Sequence, residues 1–277
     1  MDTYRWSRGA AILAVARKDI LLMSRYPLLL VSRIVEPFGW LLPVYFLGRT
    51  FSQGRLAAGF AAWAGTGDYM AFVIVGWILS SYVSAVMWGM GFALKNEMDS
   101  GVLEANWLTP HPPLVLLVGR TVASIVTTTL GSAVFGILAI TLFGLSIRGQ
   151  ILPAIGFVFP VILGLYGLGF ALAAMILLLR DASTLIDVSN FVLGLVSGRD
   201  YPVVVLPRPV FAIALLLPLT YGYDALRALL LGTRPLVSLP VEGAVVGVFM
   251  VAMLAGGTWV FGRVERHCRI HGTLAHH

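Results

Sequence analysis

Residues 153–179, PAIGFVFPVILGLYGLGFALAAMILLL, run without one charged side chain. As a helix rising about 1.5 Å per residue, this stretch covers roughly 40 Å, more than the ~30 Å hydrocarbon core of a bilayer. It has no polar face to show water, so it reads as a membrane-crossing helix. Working outward with the same window, further spans fall at 28–48, 69–94, 114–145, 184–198 (continuing irregularly) and 238–262. That makes six if the region 184–232 contributes one complete crossing. Composition agrees. Of 277 residues, 58% are apolar and 12% charged, with a mean hydropathy of +0.90, where a soluble domain carries about 25% charge. A soluble globular domain, a disordered chain and a disulfide-built secreted module are excluded. The expected fold is an all-α integral membrane protein, one transmembrane domain over 1–277.

The single cysteine, Cys268, rules out intrachain disulfides and multi-cysteine metal sites. Nineteen basic residues against thirteen acidic give +6, an excess read as membrane topology rather than nucleic-acid affinity. With the N-terminus cytoplasmic, eleven basic residues fall inside and seven outside, Arg33 left aside. Both termini are then cytoplasmic, which needs an even number of crossings. Residues 5–25 have no uninterrupted apolar core and no signal-peptide pattern. Ile12, Leu13, Ala16, Ile20 and Met23 share one helical face while Lys18 and Arg25 point away. Such a helix lies along the membrane surface, with Leu21 and Leu22 off the apolar face.

Three places break the apolar pattern. The inside loop after the second span, Lys95 to Pro110, holds Glu97, Asp99 and Glu104. Asn96 is placed to cap a short helix over 97–108, with Glu97, Gly101 and Glu104 on one face and Pro110 as its stop. On periodicity alone an ordinary polar loop is the readier reading, but an acidic inside helix runs against the positive-inside trend and favours a docking surface. The second break is Ser197-Gly198-Arg199-Asp200-Tyr201-Pro202, followed by Leu206-Pro207-Arg208-Pro209. Irregular backbone at membrane depth must be buried in protein or wet. A pair of half-helices re-entering the outer leaflet over 199–232 fits this region; the alternative is a plain outside loop. In the third, Pro218 to Gly232, Asp224 and Arg227 stand i, i+3 and form a surface ion pair on a short amphipathic helix capped by Gly232.

Taken in order, these segments resemble the type-2 family of ABC transporter permeases. Glu97 to Pro110 is similar to that family's acidic-Gly-x-Leu-Glu to Thr-Pro segment. Ser197-Gly198 through Pro207 and Pro218-Leu219-Thr220-Tyr221 through Leu229 look like its second signature. The tail from Arg263 to Leu274 is similar to its usual ending. The resemblance covers nearly the whole chain. Asp99-Ser100-Gly101-Val102 departs from the commoner Glu-Ser-Gly-Thr, and Arg199-Asp200 places charges where relatives carry apolar or aromatic residues.

The resemblance implies a permease that does no chemistry and binds no cofactor. ATP and Mg would be bound by a separate ATPase subunit, two copies serving two permease copies or a permease and its close paralogue. Glu97, Gly101, Glu104, Thr109 and Pro110 would then couple the chain to the ATPase. Pro202, Pro207 and Tyr221 would close an outer gate. The implied role is export, or efflux, across a prokaryotic inner membrane. In keeping with that, neither Lys18 nor Lys95 follows a glycine, so no phosphate-cradling loop is present. The short loops favour a hydrophobic or amphipathic compound: a drug, a lipid or a lipid-linked glycan. Arg33 and Glu36, i, i+3 ahead of Pro37, together with Trp40 and Tyr45, are candidate pathway residues. A local ion pair for the first two and an aromatic belt or lipid-facing packing for the aromatics are the readier explanations. Gly243-x-x-x-Gly247 and Ala252-x-x-x-Gly256 permit close helix approach, and Glu242 opens the last span at its interfacial edge. An ATP-independent secondary transporter is the alternative, though the carboxylates sit at span ends rather than midspan. A membrane enzyme fits poorly, because none of the five histidines lies inside a span.

Overall fold

A computed structural model describes residues 7–51, 55–99, 111–144, 149–179 and 183–271. These residues form helices joined by turns, with no strand among them. In chain order they are α1 (Arg8–Arg25), α2 (Pro27–Phe51), α3 (Arg55–Ala64), α4 (Tyr69–Asp99), α5 (Pro113–Phe143), α6 (Ile151–Leu179), α7 (Ser183–Val196), a 3-10 turn (Val203–Val205), α8 (Arg208–Leu216), α9 (Pro218–Leu231) and α10 (Leu239–His271).

Four of them are long and apolar enough to cross a membrane alone: Tyr69–Met90 within α4, α5, Ile151–Leu178 within α6, and Leu239–Cys268 within α10. A fifth candidate is the pair α8 and α9, which meet at 88°. The expected span at 28–48 coincides with α2, and that at 184–198 with α7. With 14 residues, α7 reaches only about 21 Å.

Local chemistry sets the ends. The Ser7 hydroxyl accepts from Ala10 N at 3.3 Å and opens α1. Asp68 Oδ1 accepts from Ala71 N at 2.9 Å and opens α4. Pro113 starts α5, and Gly144, at φ 64°, closes it. Helix α3 was not expected; it ends at the left-handed Gly65, and its Phe60 meets Tyr69 and Phe72 edge to face.

Two boundaries move. Helix α4 continues through Lys95, Asn96 and Glu97 to Asp99, so Asn96 opens no new helix at 97. Good helix formers continue the turn there, and no breaker stands before Gly101. The rest of the expected docking helix, 100–110, lies outside the described residues. Helix α10 extends past 262 to His271 for the same reason, and Cys268 is buried on it rather than lying in a tail.

The core joins α4, α6, α9 and α10, around Leu79, Tyr82, Val86, Leu165, Tyr166, Tyr223, Val246 and Phe261. Helices α6 and α10 touch backbone to backbone. A Cβ on Gly257 would overlap the Gly167 carbonyl, and one on Gly164 would stand 2.7 Å from the Phe249 ring. The pairs Gly243/Gly247 and Ala252/Gly256 do not make this contact; Gly247 and Gly256 face open space. Hydroxyl bridges bind three helices across the bundle. Ser81 and Ser132 share a hydrogen bond at 2.7 Å, Tyr82 donates to Thr129 at 2.9 Å, and Tyr166 donates to Ser124 at 2.7 Å. Away from water such bonds hold apolar helices in register.

Helix α1 is not only a surface float. It crosses α5 at Gly119, where a Cβ would stand 2.7 Å from Val15. Ala11 and Ala16 are therefore buried, while Leu13 turns away and is 67% exposed. Small residues that permit close approach choose the packed face over the bulkier ones.

Candidate functional site: the 197–202 turn and its arginine clasp

The segment 197–202 is built around two glycines. Gly198 adopts φ 78°, ending α7, and a Cβ there would press on Val203 and on the Tyr201 carbonyl. Gly76 on α4 lies beneath the turn, where a Cβ would collide with the Arg199 carbonyl. The turn therefore rests directly on the backbone of α4.

Arg227 of α9 holds it there. Its Nε donates to the Phe72 carbonyl at 3.2 Å and one terminal nitrogen to the Gly198 carbonyl at 2.7 Å. The other terminal nitrogen donates to the Arg199 carbonyl. The guanidinium lies 3.5 Å from the centroid of the Phe72 ring. Only a planar fork of donors ties three carbonyls at once, and stacking on an aromatic face spreads part of its charge. The expected surface pair with Asp224 does not form: Arg227 is 4% exposed and turned toward the turn carbonyls. Three directed acceptors outcompete one neighbouring carboxylate.

Asp224 does a different job. Its Oδ2 accepts from Leu236 N at 2.6 Å, and Glu242 Oε1 accepts from Val237 N at 3.4 Å. The 233–238 linker is thereby tied to both α9 and α10. Glu242, expected at an interfacial edge, is fully buried, because the linker folds over it. Its Oε2 has no hydrogen-bond partner among the described residues.

Arg199 and Asp200, the departures from the family pattern, neutralise each other. They pair at 2.9 Å, Trp77 Nε1 donates to Asp200 at 3.1 Å, and Arg199 lies over the Trp77 ring. Tyr201 donates to the Leu195 carbonyl. Burial, then the Asp200 carboxylate, pushes the Tyr201 hydroxyl up from its ordinary value, so it remains a donor.

The elbow between α8 and α9 is closed by side chains. Thr220 donates to Ala214 O at 2.7 Å and Tyr221 to Leu215 O at 2.9 Å, tying α9 back to the last carbonyls of α8 across the bend.

Among the residues expected at an outer gate, Pro202 caps the 3-10 turn and Pro207 precedes α8, while Tyr221 locks the elbow. They stand at three corners of one substructure. A cavity of about 270 Å³ lies between α3, α4 and α9, lined by Phe72, Tyr223, Arg227 and Thr233. Of the pathway candidates, Tyr45 packs on Phe46 and Phe143, which serves helix packing. Glu36 and Trp40 are exposed, Trp40 at 62%, and the Arg33 side chain lies outside the described residues. So do Gly101, Glu104, Thr109 and Pro110, and the side chain of Glu97. The signals missed in the sequence were Gly76 beneath the turn and Thr220 in the elbow.

The family model for the ABC-2 type transporter matches residues 10–231, from α1 through the end of α9. The chain belongs to the ABC-2 type transporter family. The ABC-2 match takes in the turn, the elbow and the arginine clasp, while α10 stands beyond it and packs along α6. A comparison with curated proteins gave no match. This ABC-2 protein is thus a multi-pass membrane permease whose 197–202 turn is held by Arg227.

Proposed function

We propose that this permease is the membrane-spanning subunit of an ATP-driven exporter, acting as two copies with two separate ATPase subunits. The observation that carries the reading is the family match over most of the chain. In this reading α2 and α7 join the four long helices as the first and fifth of six crossings. The pair α8 and α9 re-enters the outer leaflet, and both termini face the cytoplasm. The segment from Glu97 to Pro110 meets the ATPase. A short rigid helix there would pass on the motion of nucleotide binding, where a slack loop would absorb it. The cargo is a hydrophobic or amphipathic compound moved outward.

Purification from the native host in mild detergent tests this directly. The expected result is a stoichiometric ATPase subunit bearing a phosphate-binding loop, with ATP hydrolysis by the pair. A permease that elutes alone and transports without ATP would instead support secondary transport. That second reading draws on one feature, the carboxyls of half-buried Asp224 and fully buried Glu242. They lie at the start of α10, however, rather than midway along it.

A further inference from the structure

Helix α7 buries Ile186 and shows the opposite face outward. Val188, Phe191, Val192 and Leu195 are exposed there, Phe191 at 69%, an apolar stripe suited to lipid. Asp187 and Asn190 stand along its edge. Neither side chain has a hydrogen-bond or ion-pair partner among the described residues. Asp187, Asn190, Phe191 and Leu195 fall within two turns on adjoining positions of the helix, and with Arg199, Asp200 and Tyr201 they line an open cavity of about 270 Å³.

The charges of this cavity do not balance. Arg199 is taken by Asp200 at 2.9 Å, and the other Asp200 oxygen receives the Trp77 N–H at 3.1 Å. One carboxylate, Asp187, is left over. With α7 as a crossing, a bare carboxylate facing acyl chains is costly, and charges so placed mark substrate pathways. Lipid tails are therefore a poor occupant. An occupant that returns the cost has a positive charge for Asp187, a hydrogen-bonding group for Asn190 and apolar or aromatic surface for Phe191 and Leu195. A cation over an exposed ring gains further.

We infer that this cavity on α7 recognises a cationic amphipathic small molecule, with Asp187 as its counter-charge and Phe191 and Leu195 as its apolar bed. The inference rests on the permease reading and narrows its cargo from amphipathic compounds in general to those bearing a positive charge. Anionic lipids and lipid-linked glycans with phosphate linkages are repelled by the same carboxylate.

The test uses two probes of one shape and opposite charge, tetraphenylphosphonium and tetraphenylborate, bound to the full-length permease in detergent by equilibrium dialysis. The phosphonium is expected to bind saturably and the borate not to compete. Asp187→Asn is expected to weaken phosphonium binding about tenfold or more, the scale of one lost ion pair, while Asp187→Glu stays within about threefold. Both variants should elute at the wild-type size, which separates a lost site from a lost fold. Equal binding of the borate, or wild-type affinity in Asp187→Asn, overturns the assignment. A change of oligomeric size in Asp187→Asn also overturns it, because the face is then a contact between copies. Dialysis needs no ATPase, so a negative result leaves the ATP-driven reading standing, and a missing ATPase leaves this result readable.

Discussion

Arg227 donates to the carbonyl of Phe72 while its guanidinium lies 3.5 Å over the same residue's ring. One residue near the start of α4 thus supplies both a hydrogen-bond acceptor and an aromatic face to a side chain 155 positions away. Through this side chain the 197–202 turn, α4 and α9 are tied together.

The clasp predicts that charge alone is not enough. Arg227→Lys keeps the cation but cannot reach Phe72, Gly198 and Arg199 together. It should cost about 3 kcal/mol, since hydrogen bonds to a charged group contribute roughly 1.5–3 kcal/mol each. A lowered apparent Tm in detergent checks this. Wild-type stability would show that the fork geometry does not matter.

The glycine contacts give a paired test. Gly257→Ala drives a methyl into the Gly167 carbonyl, whereas a Cβ on Gly256 meets nothing within 4 Å. Folded yield should fall for Gly257→Ala. Gly256→Ala should match or slightly exceed wild type, because alanine favours helix over glycine by about 1 kcal/mol. A defect in Gly256→Ala would mean that this side of α10 meets another protein surface.

The Glu242 carboxyl predicts a difference between neutral replacements. Glu242→Gln keeps a side-chain oxygen to accept from Val237 N–H, and should cost less than about 1 kcal/mol. Glu242→Ala strands the Val237 N–H and empties a fully buried site, and should cost about 2–3 kcal/mol. Thermal unfolding of the two variants side by side decides it; equal losses would mean that the Val237 contact carries no weight.

The proposed ATPase contact carries its own test. Glu104→Arg reverses one charge on the 97–108 segment while leaving every span unchanged. The variant should insert into the membrane normally yet bring down less ATPase on purification. Undiminished co-purification and coupled hydrolysis would remove Glu104 from the contact.

The sequence by itself determined the medium and the local grammar. Runs such as 153–179 have no polar face, so they must be helical and shielded from water. Pro113 and Gly232 mark helix ends by rules that act within a single turn. What only the tertiary structure decided is where the polar groups go. Spacing i, i+3 offered Arg227 to Asp224, but folding brought three carbonyls from α4 and the 197–202 turn closer in a better geometry. Glu242 stood at the head of a span and was read as wet, until the 233–238 linker closed over it. The same holds for helix faces: Gly119 and Val15 decided which side of α1 is buried, and neither residue's apolarity announced it. Hydropathy is a property of one segment, whereas desolvation and hydrogen-bond geometry depend on the segment packed against it.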